Sequence, residues 1–385
     1  MHVEHIQFRQ FRNIRDEYVE LHSGLNVFQG PNGQGKTNFV EGVYLLSHGR
    51  SFRTSENSAL VQHGENQRTR IVAKLVKQAL NHELDFQIVA GKKKIKANGK
   101  SVSGAYLRKN FPTVLFSPES LLIIKQSPQH RRSLVDDLAL GVLPSFAQVY
   151  EDCGRLLKQK NAFLREVKTD KTGDSRETQR LFNSLTDLFF AKGARLVVQR
   201  LKVMKAILPF LQKEFAAIMG DSLVELEMDY LISGKSALEM SEEQIINALY
   251  KRWAELSQSE KALGQTLVGP HKHDVQFRFN GQEARLFCSQ GQQRAIILAF
   301  KMAHIGLHCA AHGMYPMLLL DDVLSELDKI KQERFLEALI QTQSQILMTA
   351  TDASKVPTGM SHDIYNVNVG TFTKVQQRKL GEMSV

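Results

Sequence analysis

Apolar and polar positions follow three different rhythms along this 385-residue chain. Up to about residue 120 the alternation is that of strands with one helix among them. Val3, His5, Ile6 and Phe8 predict an imperfect strand, and residues 67–77 and 82–90 predict two more. Asn98-Gly99, within GKKKIKANGKSV, predicts a tight hairpin turn. From about Pro144 to Ser257 the spacing turns helical. Phe146, Val149, Tyr150, Cys153, Leu156, Leu157, Phe163, Leu164 and Val167 trace one face of a long helix. After a polar break, TDKTGDS (169–175), Leu181, Leu185, Leu188, Phe189, Leu196, Met204 and Leu208 trace a second, which Pro209 is expected to kink or end. Two long stripes joined by a polar break predict an antiparallel helical hairpin. A third helix is predicted from Ser241, with Gln244 completing a capping box and Ile245, Leu249, Trp253 and Leu256 turned inward. After Gly264 strands return in PMLLLDD (316–322), QILMTATD (345–352) and a terminal edge strand, VNVGTFTKVQ. The pattern predicts one α/β lobe, residues 1–135 and 265–385, interrupted by a helical lobe at 136–264.

Composition narrows the setting. Three widely spaced cysteines (Cys153, Cys288, Cys309) argue against a disulfide framework or a zinc site. The charged, alternating N-terminus is no signal sequence, and no run approaches the length of a membrane span, so a cytoplasmic protein is expected. A net charge of +10 suits a polyanionic partner without requiring one.

The stretch from Gly30 to Thr37 carries the sharpest chemistry. Gly30, Pro31, Asn32, Gly33, Gln34, Gly35, Lys36 and Thr37 satisfy G-x-x-x-x-G-K-[ST], the phosphate-binding P-loop. Leu25, Val27 and Phe28 supply the strand before it, and Phe39, Val40, Val43 and Tyr44 the helix after it. Glycines let backbone N–H groups wrap phosphate, Lys36 is placed to neutralise the β/γ-phosphates, and the Thr37 hydroxyl to ligate Mg²⁺. The expected ligand is therefore a nucleoside triphosphate, ATP, with magnesium.

Met317-Leu318-Leu319-Leu320-Asp321-Asp322 reads as a buried strand beside the P-loop strand, ending in two carboxylates. Asp321 is expected to hold Mg²⁺ and Asp322 to orient or deprotonate the attacking water. Ser289-Gln290-Gly291-Gln292-Gln293 precedes an apolar helix, so Ser289 and Gly291 stand at a helix N-terminus, a second phosphate-binding device that would act best on another copy's nucleotide. The same features fit an ordinary helix cap. Ser325-Glu326-Leu327-Asp328 follows the carboxylate pair.

In this order, the P-loop, SQGQQ and LLLDDVLSELD resemble the ABC-type ATPase heads of the SMC class. The finer resemblance is to the RecF family of bacterial recombination and repair proteins. FRNI (11–14), GRSFRT (49–54), SPESLLIIKQSPQHRR (117–132), YEDCGRLLKQKNAFLRE (150–166), GPHKHD (269–274) and DDVLSELDKIK (321–331) carry it. The chain departs from that family's pattern at Gln126, Leu134 and His273, and neither a glutamine near Val114 nor a switch histidine beside Thr349 and Asp352 is recognisable. The resemblance implies an ABC-type head with an inserted helical lobe and an ATP-dependent homodimer, in which Ser289 and Gly291 of one copy cap the ATP of the other in trans. It implies binding to double-stranded DNA, to gap junctions and to single-stranded DNA, work with RecO and RecR in loading RecA, and a place in replication, repair and the SOS response to DNA damage. With Asp322 where ABC transporters carry a longer glutamate, slow DNA-linked hydrolysis is expected, with Lys36 and Asp322 as its catalytic residues.

Three other readings compete: a transporter's nucleotide-binding subunit, a P-loop kinase acting without dimerisation, and a DNA clamp that hardly turns ATP over. Candidate DNA contacts are Lys92, Lys93, Lys94, Lys96 and Lys100 on one hairpin, Arg131-Arg132, and Arg155, Lys158, Lys160 and Arg165. Each also reads as a solvated face. The resemblance implies that Arg12 and Asn13 approach the adenine or the partner's signature loop, and they read equally as a simple edge-strand turn. His271, His273 and Asp274 lack a further ligand for a metal site.

Overall fold

Alternation in the first third of the chain and apolar runs in the last third become two different sheets. The computed structural model describes residues 1–62, 68–169, 176–221, 225–352 and 361–378. Most of the polar break at 169–175 lies outside the described residues. In chain order, β1 (His2–Phe11), β2 (Ile14–Glu20) and β3 (Leu25–Gln29) lead into α1 (Lys36–His48). Next come β4 (Arg68–Lys77), β5 (Leu80–Val89), β6 (Lys92–Ala97), β7 (Lys100–Ser101), α2 (Gly104–Asn110), β8 (Thr113–Phe116) and α3 (Pro118–Leu121). The middle of the chain forms α4 (Pro128–Val142), α5 (Phe146–Thr169), α6 (Arg176–Met219), β9 (Leu226–Ile232), β10 (Lys235–Ser236) and α7 (Glu242–Leu263). It continues with β11 (Asp274–Phe279), β12 (Gln282–Glu283) and α8 (Ala284–Phe287). Then follow α9 (Gln290–His312), β13 (Met317–Leu320), α10 (Lys329–Ile340), β14 (Ile346–Ala350), β15 (His362–Asn368) and β16 (Thr371–Arg378).

Two compact units result: Met1–Leu121 with Glu214–Asp221 and Arg294–Val385, and Leu122–Lys213 with Ser222–Gln293. In the first, β2-β1-β4-β5-β6-β7 is an antiparallel sheet, closed at its edge by the expected Asn98-Gly99 turn with both residues at positive φ. The second sheet runs β16-β15-β3-β14-β13-β8, with β15, β3, β14, β13 and β8 parallel. Buried on both faces, its strands read as unbroken apolar runs such as Met317–Leu320. Helix α1 packs on strands of both sheets and is buried almost all round, with the tilted rings of Phe28 and Phe39 4.2 Å apart in the shared core. The expected terminal strand VNVGTFTKVQ is in fact a hairpin, β15 turning into β16 at Val369-Gly370.

The second unit is more than the expected helical lobe. Its four-stranded antiparallel sheet, β10-β9-β11-β12, pairs Asp274–Phe279 with Leu226–Leu231 across the anticipated boundary at 264/265. Helix α4 packs on β11, and Arg131 makes a bidentate pair with Asp274, so residues before 135 belong to this unit as well. Helices α5 and α6 run antiparallel, as their cross-contacts show: Gln199 with Ser145, Lys192 with Asp152, Phe182 with Phe163. Pro209 does not end α6, which runs through it to Met219; the proline is exposed, so the carbonyl it leaves without a partner one turn back faces water. The inward stripe of α6 keeps the predicted Phe189, Leu196 and Met204, but Leu181 and Leu188 are exposed and Phe182 and Phe190 are buried instead.

Helix α9 is long and apolar enough to cross a membrane, but 72% of its most apolar stretch is buried in the protein, as in a core helix.

Candidate nucleotide site

Parallel strands end on one side of their sheet, and the loops there converge. Gly30 leaves β3 with φ 149°, and a side-chain carbon at this position would lie 2.5 Å from the Val367 carbonyl oxygen, so only glycine fits. Gly33 and Gly35 also have positive φ, and Gly35 opens α1. The loop from Gly30 to Thr37 thus ends at a helix N-terminus whose backbone N–H groups and dipole favour an anion. Lys36 Nζ donates to the Gly30 and Pro31 carbonyls at 2.5 and 2.8 Å, lying along the loop that it is expected to serve. Burial pushes the Lys36 ammonium pKa down, with Asp322 and Asp321 pulling it the other way. A cavity of about 420 Å³ opens here, lined by Asn32, Gly35, Lys36, Thr37, Arg53, Asp322 and Thr349 among others.

The carboxylate strand is next but one to the P-loop strand, not beside it, because β14 lies between β3 and β13. This changes the chemistry. Thr37 Oγ1 donates to Asp321 Oδ1 at 2.9 Å, and Thr349 Oγ1, from the intervening β14, donates to the same oxygen at 3.0 Å. Asp321 is 4% exposed, and among the described residues no ion pair reaches it. Burial pushes its carboxyl pKa up against the two hydroxyl hydrogen bonds, and the nearby charges of Glu119 and Asp322 push the same way. Asp322 is exposed and in the left-handed region at φ 48°, with its N–H donating to Thr349 Oγ1 at 2.9 Å. A non-glycine residue held there is a strained one, the kind of backbone that clusters at functional sites.

Sequence reasoning missed Thr349 as a member of the site and the collar around the loop. Arg12 makes a bidentate pair with Glu41, which is 0% exposed, and Arg53 reaches the same carboxylate at 3.5 Å while donating to Asn38 at 2.9 Å. Asn13 donates to the Gln34 carbonyl at 3.1 Å and accepts from Asn38 at 2.8 Å, so Arg12 and Asn13 brace the loop from outside. Arg53 falls in GRSFRT, and Arg12 and Asn13 in FRNI, so the motifs signal these positions, but nothing in them points to Glu41 or Asn38 as the partner.

Ser289 and Gly291 belong to the second unit, at the start of α9. Ser289 Oγ accepts from Gln292 N at 3.2 Å while Gln292 Oε1 accepts from Ser289 N at 2.8 Å, a reciprocal cap. Of the candidate DNA contacts, three are ruled out as surface groups. Lys160 is 0% exposed, and Arg131 and Arg132 are buried around β11. Lys92, Lys94 and Lys100 are exposed on the β6–β7 hairpin, as are Arg155, Lys158 and Arg165 on α5. His273 lies buried against Tyr230 at 3.1 Å, and no group of three metal-ligating side chains occurs among the described residues.

With this geometry in hand, the likeness to known proteins can be read. The family described as "RecF/RecN/SMC N terminal domain" matches residues 2–376. The DNA replication and repair protein RecF of Desulforamulus reducens is 32% identical over 98% of this chain and 100% of its own. The RecF of Limosilactobacillus fermentum is 34% identical over 97% and 99%. Among solved structures, the recombination mediator protein RecF with ATP, of the RecFOR pathway, superposes with a TM-score of 0.85 at 28% identity over 97% of this chain and 98% of that one. An Smc head domain from Pyrococcus furiosus matches at TM-score 0.53 and 14% identity over 97% and 96%, a likeness of fold alone. A P-loop ATPase fold with its loop, capped α9 and carboxylate strand in this order makes the chain a member of the RecF family of DNA repair and recombination proteins.

Proposed function

We propose that this chain is a cytoplasmic ATP- and Mg²⁺-dependent homodimer that closes on DNA at gap junctions, acts with RecO and RecR to help load RecA, and resets by slow ATP hydrolysis. The observation that carries this reading is Asp321: a buried carboxylate at the mouth of the P-loop that receives two hydroxyls and, among the described residues, no cation. Its oxygen lies 2.9 Å from the Thr37 hydroxyl, and paired oxygen donors of this type suit Mg²⁺, which prefers one or two protein oxygens with phosphate completing its shell. The residues therefore fit the ion, which when bound would neutralise charge developing on the phosphates.

The chain's own groups divide the work. Backbone N–H groups of the loop bind the phosphates, and Lys36 turns from its carbonyl partners towards them. Thr37 and Asp321 hold the ion. Asp322, exposed beside them, orients the water and accepts its proton, while the one Thr349 hydroxyl donates to the Asp321 carboxylate and accepts from the Asp322 backbone N–H. Ser289 and Gly291 cap the partner's nucleotide. The relative described as a RecF–ATP structure of the RecFOR pathway supports ATP and those partners. For DNA, the exposed lysines of the β6–β7 hairpin offer phosphate contacts without base reading, so affinity should fall steeply with salt.

Sedimentation velocity with Mg²⁺–ATP, with ADP and with neither tests the reading. Dimers are expected only with ATP, trapped by Asp322→Asn and abolished by Ser289→Arg without loss of ATP binding. A Ser289→Arg protein that dimerises normally would remove that serine from the interface.

A further inference from the structure

Immediately before the α9 cap, the chain displays two large apolar side chains to solvent: Leu286 is 63% and Phe287 65% exposed. A loose turn would explain this trivially, but the turn is held. Gln293, only 4% exposed, donates its side-chain amide to the carbonyls of Ala284, Arg285 and Cys288 at 3.0, 3.3 and 3.0 Å. One buried amide thus fastens the whole of α8 to the start of α9, with Ala284 packed inside and Leu286 and Phe287 outside. Apolar groups on a fixed support lose little freedom when covered, which is what anchors of interfaces need.

A second observation points to the same turn. Gly291 lies in the first turn of α9 without positive φ, and a side-chain carbon there would meet nothing closer than Ser289 Oγ at 4.0 Å. Among the described residues nothing calls for glycine at 291, and glycine weakens a helix relative to alanine. A glycine with no internal reason fits a surface that another backbone or ligand approaches closely. Arg285, the one charge on α8, is already engaged by Glu283 at 2.7 Å, so the turn offers apolar surface rather than a phosphate contact. That chemistry suits a protein partner.

We propose that Leu286 and Phe287 are the apolar anchor by which one copy of this chain seats on a second copy, flanking the Ser289–Gly291 cap. This rests on the ATP-dependent homodimer proposed above, and names the residues that give its interface adhesion rather than nucleotide contact. The test is sedimentation velocity with Mg²⁺–ATP on wild type, Phe287→Ser, Leu286→Ser/Phe287→Ser and Phe287→Leu. Thermal unfolding is recorded for each, and fluorescent-ATP binding is measured at concentrations where wild type is monomeric. The serine variants should raise the dimer dissociation constant at least about tenfold and Phe287→Leu by no more than about threefold, with nucleotide affinity and melting temperature unchanged. Serine variants that dimerise like wild type would overturn the anchor while leaving the dimer standing, and so would serine variants that simply melt early or lose ATP. A wild type that stays monomeric with ATP would instead sink the dimer reading, and the anchor with it.

Discussion

Asp136 and Asp321 are buried to a similar depth, 6% and 4% exposed, but they keep opposite company. In the second unit, Asp136 receives both arms of Arg200 at 2.7 and 2.9 Å, and Arg200 donates its remaining reach to Tyr230 and the Pro270 carbonyl. Lys160 and Glu260, both fully buried, form a second ion pair at 3.0 Å, in which the ammonium makes no well-aligned hydrogen bond. Four aromatic rings crowd the ammonium at 5.2–6.0 Å, and Trp253 and two backbone N–H groups satisfy the carboxylate. These pairs are closed. Among the described residues the Asp321 carboxylate has only hydroxyl donors, and Lys36 of the P-loop is turned to backbone carbonyls. A buried charge matched inside the chain holds structure together, whereas one left open is kept for something that arrives.

The contrast breaks first at its closed end. Arg200→Ala leaves Asp136 buried without a partner and should cost about 3–5 kcal/mol in urea-denaturation experiments, with nucleotide affinity of the folded fraction unaltered. Lys36→Ala should do the reverse, leaving stability within about 0.5 kcal/mol and weakening ATP binding by about 2–3 kcal/mol, measured by fluorescent-nucleotide titration. Asp321→Asn sharpens the point. Because the folded carboxyl has a raised pKa, its contribution to stability is present below the ordinary carboxylate range and is lost as pH rises through the folded value. The asparagine variant without nucleotide should therefore be more stable than wild type near pH 8, by about 1 kcal/mol, with the gain vanishing near pH 4. A pH effect of the opposite sign belongs to the histidines of the second unit. Burial pushes His271 down to about 4, and burial with Arg200, His271 and Arg132 nearby pushes His273 well below its usual range. Their depressed pKa values give stability that is present above about pH 6.5 and lost as pH falls from there, so the melting temperature should drop by a few degrees between pH 7 and pH 5.

What the sequence makes legible follows the range of the forces involved. The P-loop is contiguous, its glycines are required by local backbone angles, and the strand and helix around it are each one element, so eight adjacent residues announce it. Asp321 is readable because an apolar strand ends there. Thr349 is not, since its role comes from β14 slipping between β3 and β13, a matter of sheet order that no local pattern records. Lys160 reads as one more charge on a helix until Glu260, a hundred positions on, folds against it. The small sheet in the second unit escaped for a related reason: β9 finds its partner, β11, only beyond the whole of α7. Even the misplaced start of the α6 stripe has this origin, because Phe163 of α5 and Trp253 of α7 receive Phe182 rather than Leu181.

The central claim is that Asp321 is a carboxylate awaiting a magnesium-bound triphosphate. Calorimetric titration of ATP into wild type and Asp321→Asn, each with Mg²⁺ and with EDTA, addresses it directly. Magnesium should tighten binding to wild type at least about tenfold and leave the asparagine variant nearly indifferent. An equal gain from magnesium in both proteins would place the ion elsewhere and contradict the claim.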